Sequence, residues 1–190
     1  MPYPGPARHE PLAVELHNTL YVQHGTVVDG LAGETGLAAW LRAVADRLPD
    51  GADRADRARL PDFLALRHAV RTALQAALAG ERVPAGALRA INADAGRAPA
   101  SPALSQARDG ALRSRVDHHG ADPADIALAA IAGDAVDLLA GPLREQLRAC
   151  RAPACVLVFV KDHPRRAWCS AGCGNRARQA RHYRRTHAGG

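Results

Sequence analysis

The sequence predicts a mainly α protein of the α+β class. It should hold a multihelical N-terminal domain with one short β-hairpin, then a small treble-clef-like zinc module made of a β-hairpin and a helix. Three observations predict this. Apolar residues recur at helical spacing through the first 141 positions. An Asp109-Gly110 turn sits between two weakly alternating runs. All four cysteines lie in the last 41 of 190 residues, in two pairs followed by an arginine-rich stretch.

Residues 1–11 carry four prolines and are expected to form a flexible arm. Leu12 to His24 reads as a helix, and Leu31 to Gly33 as a turn. In Glu34 to Leu48 an apolar stripe of Leu37, Leu41, Val44 and Leu48 marks an amphipathic helix, which Pro49-Asp50-Gly51 ends. Pro61 to Leu78 gives the strongest helical signal. Its proline suits the first turn, Asp62 complements the positive dipole end, and Gly80 closes it. Phe63, Leu66, Val70, Leu74 and Leu78 are its inward stripe. A shorter helix over Pro84 to Ala95 should turn Leu88 and Ile91 inward. Arg97 to Ala103 reads as a loop, and Leu104 to Val116 as a hairpin about Asp109-Gly110. Asp122-Pro123 is an N-cap and first-turn proline for a helix running to Ala140. Pro142 to Ala149 connects to the last module. The expected domains are therefore an arm over 1–11, a helical domain over 12–141 and a zinc-finger domain over 142–190.

Cys150 and Cys155 are spaced C-x4-C, Cys169 and Cys173 C-x3-C, with 13 residues between the pairs. Zinc takes thiolate ligands in a closed tetrahedron when its role is structural. Val156 to Val160 should form a strand, Asp162-His163-Pro164 a turn, and Arg166 to Trp168 a returning strand that brings Cys169 beside Cys155. Cys173 should open the final helix, with Gly174 letting the backbone turn near the sulfur and Asn175 as cap. So small a unit needs its Zn2+ to fold. A rival ligand set, Cys169, Cys173, His182 and His187, would leave Cys150 and Cys155 without a role. Metal-free cysteine pairs and a redox or iron–sulfur centre are further readings.

Charge is uneven. Residues 144–190 hold 11 Lys and Arg against two acids, giving +9, and residues 1–143 hold 14 Arg against 17 acids, giving −3. A neutral-to-acidic body with a basic tail suits a nucleic-acid binder. Arg178, Arg181 and Arg185 share one helical face, flanked by Arg184 and Arg176, and Arg165 and Arg166 could extend the patch. Guanidinium groups grip phosphates and guanine edges, so these seven residues are candidate DNA contacts. Arg176 could instead offset the thiolate charge. A helix docking on the body or on an acidic partner is the competing reading, and single-stranded RNA a third. Trp168 and Tyr183 read as packing residues of the finger.

These residues resemble a known family. Trp168-Cys-Ser-Ala-Gly-Cys-Gly-Asn-Arg-Ala-Arg-Gln-Ala-Arg-His-Tyr-Arg-Arg185 is similar to the signature of the CGNR zinc-finger family, and Cys150 and Cys155 fall where that family has its first pair. The front half resembles the companion ABATE domain through Leu16-His-Asn-Thr-Leu20, Gly36 to Leu41, Leu66-Arg67 and Ile91-Asn92. The resemblance implies a bacterial stress-responsive transcription regulator whose finger binds zinc, through Cys150, Cys155, Cys169 and Cys173, and DNA. The turn Lys161-Asp-His-Pro-Arg165 departs from the aspartate- and serine-containing turn of many members.

A regulator needs an input. His17, Asn18, Arg67 and Asn92 are polar residues set in apolar segments. Converging, they would form a pocket for a polar or anionic effector; otherwise they bridge backbone groups in the core. No phosphate loop, G-x-S-x-G or H-E-x-x-H occurs, so no enzyme is expected. His118-His119 beside Asp117 reads as a solvated loop. No apolar run is long enough for a membrane span and no signal-peptide core is present, so the expected location is the cytoplasm, where thiols stay reduced. A homodimer would favour paired DNA half-sites.

Overall fold

Leu12 follows Pro11 and opens helix α1 (Leu12–His17), whose six residues are all buried. The helix stops there. The next residues form strands β1 (Leu20–Gln23) and β2 (Thr26–Asp29), paired antiparallel with Tyr21 opposite Val28 and Val22 opposite Val27. The turn between them has positive φ at both central residues, His24 (49°) and Gly25 (81°), as a two-residue hairpin turn requires. The single helix expected over Leu12 to His24 is thus a helix and half a hairpin, because Tyr21, Val22, Val27 and Val28 favour extended backbone. This computed structural model describes residues 5, 6 and 9–187, and of Glu34 and His187 the backbone alone. Most of the expected N-terminal arm lies outside the described residues.

Helix α2 (Gly33–Ala43) and a 3-10 turn (Ala45–Arg47) carry the expected stripe, with Leu37, Leu41, Val44 and Leu48 all buried. A Cβ at Gly36 would sit 2.7 Å from the Gly30 carbonyl oxygen, so only glycine lets α2 press on the turn before it. Helix α3 (Leu60–Ala79) ends on Gly80 at φ 71°, with the Glu81 N–H bonded to the Ala76 carbonyl at 2.9 Å, a left-handed C-cap. Helix α4 (Ala85–Ala95) buries Ile91, but Leu88 is 45% exposed, contrary to its expected inward place. Strand β3 (Ser101–Gln106) starts inside the expected loop and pairs with β4 (Leu112–Asp117). Helix α5 (Pro123–Ala140) is capped by Asp122, which accepts from the Ala124 N–H at 2.8 Å. It packs against α1, α3 and α4, and Leu128 and Ile131 meet Trp40, Phe63, Leu66 and Leu74 in the main core. No helix among the described residues is long and apolar enough to cross a membrane.

The tail corrects one pairing. Strand β6 (Val158–Val160) does not pair with Arg166 to Trp168. It pairs with β5 (Leu147–Ala149), upstream of the first cysteine, with Leu147 opposite Val160 and Ala149 opposite Val158. Residues on alternate sides of a strand face opposite ways. Val158 and Val160 enter the main core with Leu147, while Leu157 and Phe159 enter a second core with Tyr21 and the cysteines. Strand β6 is therefore a wall common to both. Helix α6 (Ala171–His187) completes a mainly α fold with three two-stranded antiparallel sheets among the described residues.

Candidate metal centre and cationic helix

Cys150 directly follows β5, and its N–H bonds to the Leu157 carbonyl at 2.9 Å, extending the ladder by one pair. The chain then folds back through Ala154 at φ 57°, and the Cys155 N–H bonds to the Ala152 carbonyl at 3.1 Å. The first cysteine pair thus occupies the β5–β6 loop. Cys169 lies just before α6 and Cys173 in its first turn. Ser170 caps that turn, its Oγ accepting from the Cys173 N–H at 3.2 Å. The cap expected at Asn175 is corrected, since α6 begins at Ala171. Gly174 also has a different reason: a Cβ there would stand 3.0 Å from Trp168 Cδ1, so glycine admits the indole.

All four sulfurs lie within 4.8 Å of one another. Cys155 is 3.8 Å from Cys169 and 3.7 Å from Cys173, and Cys169 is 3.3 Å from Cys173. Four thiolates about 2.3 Å from a tetrahedral zinc ion stand about 3.8 Å apart. The donor set and its spacing fit zinc, and the residues close it with no position left for water. His182 of the rival ligand set is exposed on α6, outside the sulfur cluster; the side chain of His187 lies outside the described residues. Hydrogen bonding from Cys169 holds the Cys155 thiol down to about 5. Burial pushes Cys150 up, and Cys169 is pushed up first by the bond it gives Cys155. Binding an ion must displace the protons held on Cys150 and Cys169. Arg176 Nη2 lies 3.1 Å from the Cys173 sulfur, where it offsets thiolate charge.

Beyond its first two turns α6 stands clear of the body, with Arg181 to Thr186 exposed. Among the described residues Arg178, Arg181, Arg184 and Arg185 pair with no acid. Arg178 donates to Asn175, and Arg184 to the Ala180 carbonyl at 3.3 Å. Arg165 is exposed beside the His163 turn. Arg166 is placed differently: it pairs with Glu10 and, at 3.2 Å, with Asp162, and lies 4.8 Å above the Phe159 ring. Sequence reasoning missed Arg151, which lines an open groove with Pro153, Arg178, His182 and Tyr183. Its adjacency to Cys150 was the available signal.

Of the four expected pocket residues the structure brings three together. Asn18, fully buried, donates to the Val158 carbonyl at 2.9 Å and accepts from the Val158 N–H at 3.0 Å. His17 Nδ1 meets the Asn18 oxygen at 3.2 Å, and burial, with Arg71 nearby, lowers the imidazole to about 4. Arg67 bonds Thr19 at 3.0 Å and grips both oxygens of Asp29, at 2.5 and 2.7 Å; this grip holds the Asp29 carboxyl below its ordinary value. Asn92 is exposed elsewhere, in a groove between α4 and α5 with Leu88, Ile91 and Val136. The free edge of β6 is completed by Glu10, whose Oε2 accepts from the Val160 N–H at 2.9 Å. His119 bonds to Ser101 at 2.9 Å, and His118 is half-buried rather than solvated.

Residues 10–142 match the ABATE family, described as "putative stress-induced transcription regulator". The chain belongs to the ABATE family. Residues 146–186 match the CGNR zinc finger, and the match contains all four clustered cysteines. A search of curated proteins finds no match. Both families are of regulatory and zinc-finger type rather than enzymatic. This ABATE protein has a structural zinc as its cofactor, on the finger family and the cysteine cluster together.

Proposed function

We propose that the protein is a DNA-binding transcription regulator of the cytoplasm. Cys150, Cys155, Cys169 and Cys173 hold zinc, the zinc fixes the first turn of α6, and α6 presents its arginines to the duplex. The observation that carries this reading is the exposed half of α6, whose Arg178, Arg181, Arg184 and Arg185 meet no acid of the body among the described residues. A helix made to dock on its own body would bury that face and pair those charges. Arg151 flanks the same surface, and exposed Arg165 is a further contact for the duplex. Arg176 acts instead at the metal and Arg166 at the joint with the body. Asn18 serves that joint through Val158, while His17 and Arg67 are engaged within the body by Asn18, Thr19 and Asp29 rather than lining an effector pocket.

Arginines that neutralise phosphates release counterions, so affinity should fall steeply with salt. The test is fluorescence anisotropy of the zinc-loaded chain with a mixed-sequence duplex across a salt series. Arg181→Ala with Arg185→Ala should weaken binding and flatten the slope of log K against log salt by about one for each arginine. No binding by the metal-loaded protein at low salt would overturn the reading.

A further inference from the structure

Beside α6 the finger carries a hollow of about 370 Å³ that is lined by no metal ligand. Phe159 and Trp168 give it an apolar wall and Arg148, Arg151, Lys161 and Arg166 a cationic one, and no acid lines it. The β5–β6 ladder sets these cations in place. Arg148 lies directly opposite Phe159, and opposed residues share a face. The Lys161 N–H bonds the Gln146 carbonyl at 2.8 Å and extends the ladder at one end; Arg151 follows Cys150 at the other. Arg166 is neutralised by Glu10 and Asp162. Arg148, Arg151 and Lys161 pair with no acid among the described residues. Arg148 donates from Nη1 to the carbonyls of Glu145 and Leu147, both at 2.7 Å, which leaves Nε and Nη2 without a protein partner. A guanidinium held this way loses less freedom when an anion arrives.

The hollow runs on into the α6 face. Arg151 lines both this hollow and the groove along α6 that holds Arg178, His182 and Tyr183. At Gly174, Trp168 of the hollow and Arg178 of α6 approach the same absent Cβ, at 3.0 and 3.5 Å. We infer, resting on the reading of α6 as the helix that meets DNA, that this hollow grips the sugar-phosphate backbone beside the groove that α6 enters, through Arg148, Arg151 and Lys161. A helix with its side chains is about 10–12 Å across and fills a major groove about 12 Å wide. Cations standing beside such a helix therefore face the phosphate ridge rather than base edges. Contacts of that kind fix register and add affinity without reading sequence. A short acidic peptide offers carboxylates to the same three cations, but their continuity with α6 favours one stiff polyanion that covers both surfaces. The work of binding is thus divided: the hollow holds phosphates that every sequence presents, and α6 makes the contacts that tell sequences apart.

Lys161 is the one lysine of the chain, so its amine reports on the hollow. Acetylation of Lys161 by an amine-reactive reagent, read by mass spectrometry on the zinc-loaded full chain, should slow about tenfold with a mixed-sequence duplex at about ten times its Kd, because only about a tenth of the protein is then free. Arg151→Gln with Lys161→Gln removes two charges whose side chains bond nothing else among the described residues. It should flatten the slope of log K against log salt by about two, equally on every duplex sequence, with zinc content and far-UV circular dichroism unchanged. Arg82→Gln with Arg108→Gln removes the same charge at exposed sites of the body and should leave the slope as it is. A parent that binds no duplex removes the DNA reading and the hollow's role together. A parent that binds DNA while Lys161 acetylates at its free rate, a double variant with the parent's slope, or a control pair that flattens the slope equally, would overturn the hollow's role alone. So would poly-glutamate that protects Lys161 as well as a duplex of equal charge does.

Discussion

Asn18 shows what one side chain can do between distant parts of a chain. Its amide pairs with both the N–H and the carbonyl of Val158, as a neighbouring strand would. Both backbone groups are buried, and a buried polar group left unpaired costs about 1–3 kcal/mol. Asn18→Ala strips both at once and should destabilise the protein by about 2–4 kcal/mol, read as a lower urea midpoint at unchanged m-value. A variant as stable as the parent would refute the strand-like role. The sequence did single out His17, Asn18 and Arg67 as polar residues in apolar surroundings. Their partners were illegible, because Val158 is 140 positions from Asn18 and Asp29 reads as an ordinary loop acid. Arg166 was misplaced for the same reason: nothing local reveals that Glu10, 156 positions away, waits for it.

At the level of elements, legibility followed the local signal. The helices over residues 60–79 and 123–140 have caps and prolines in their first turns and were readable nearly to their ends. The β1–β2 hairpin was not, because Leu12 to Gln23 is apolar with polar residues interspersed at no clear period, and strand and helix patterns blur in such a run. In the finger, the ligands were legible from their spacing, while the strand pairing was not. Arg166 to Trp168 lies nearer β6 in sequence than Leu147 to Ala149 does, and burial of Leu147 in the main core favours the more distant partner. The sulfur cluster ties the β5–β6 loop to the first turn of α6, and α6 has little else to hold it. Stripping the metal under reducing conditions should therefore melt much of this 17-residue helix, lowering ellipticity at 222 nm while the body keeps its helices. Zinc affinity should also fall as pH drops below neutral. Metal binding needs thiolates, and Cys150 and Cys169 are held protonated above their ordinary values, so protons compete harder as their concentration rises. Unchanged ellipticity after complete metal removal would contradict the zinc-held helix.

Across the whole molecule, two family matches meet at residues 142–146, yet the packing crosses that line. Strand β6 sends Val158 and Val160 into the core of the helical body and Phe159 into the metal core, which Leu157 just before the strand also enters. Its free edge is completed by Asn18 and Glu10 from the chain's first helix region. The finger is thus bolted to the body rather than tethered, and a change at the body's first helix is felt one strand from the sulfurs. The two matched segments should then unfold as one. Removing residues 142–190 uncovers the seat of Leu147, Val158 and Val160, whose burial contributes about 1.5–3 kcal/mol each. It also leaves Glu10 without Arg166. The fragment 1–141 should lose several kcal/mol of stability, about half or more of what a domain of this size has in total, and expose apolar surface that binds a hydrophobic dye. The zinc-loaded full chain should melt in a single transition, with near-UV signals of Trp40 in the body and Trp168 in the finger lost together. Two separated transitions, or a 1–141 fragment as stable as the whole, would show that the joint carries no load and that the finger moves on its own.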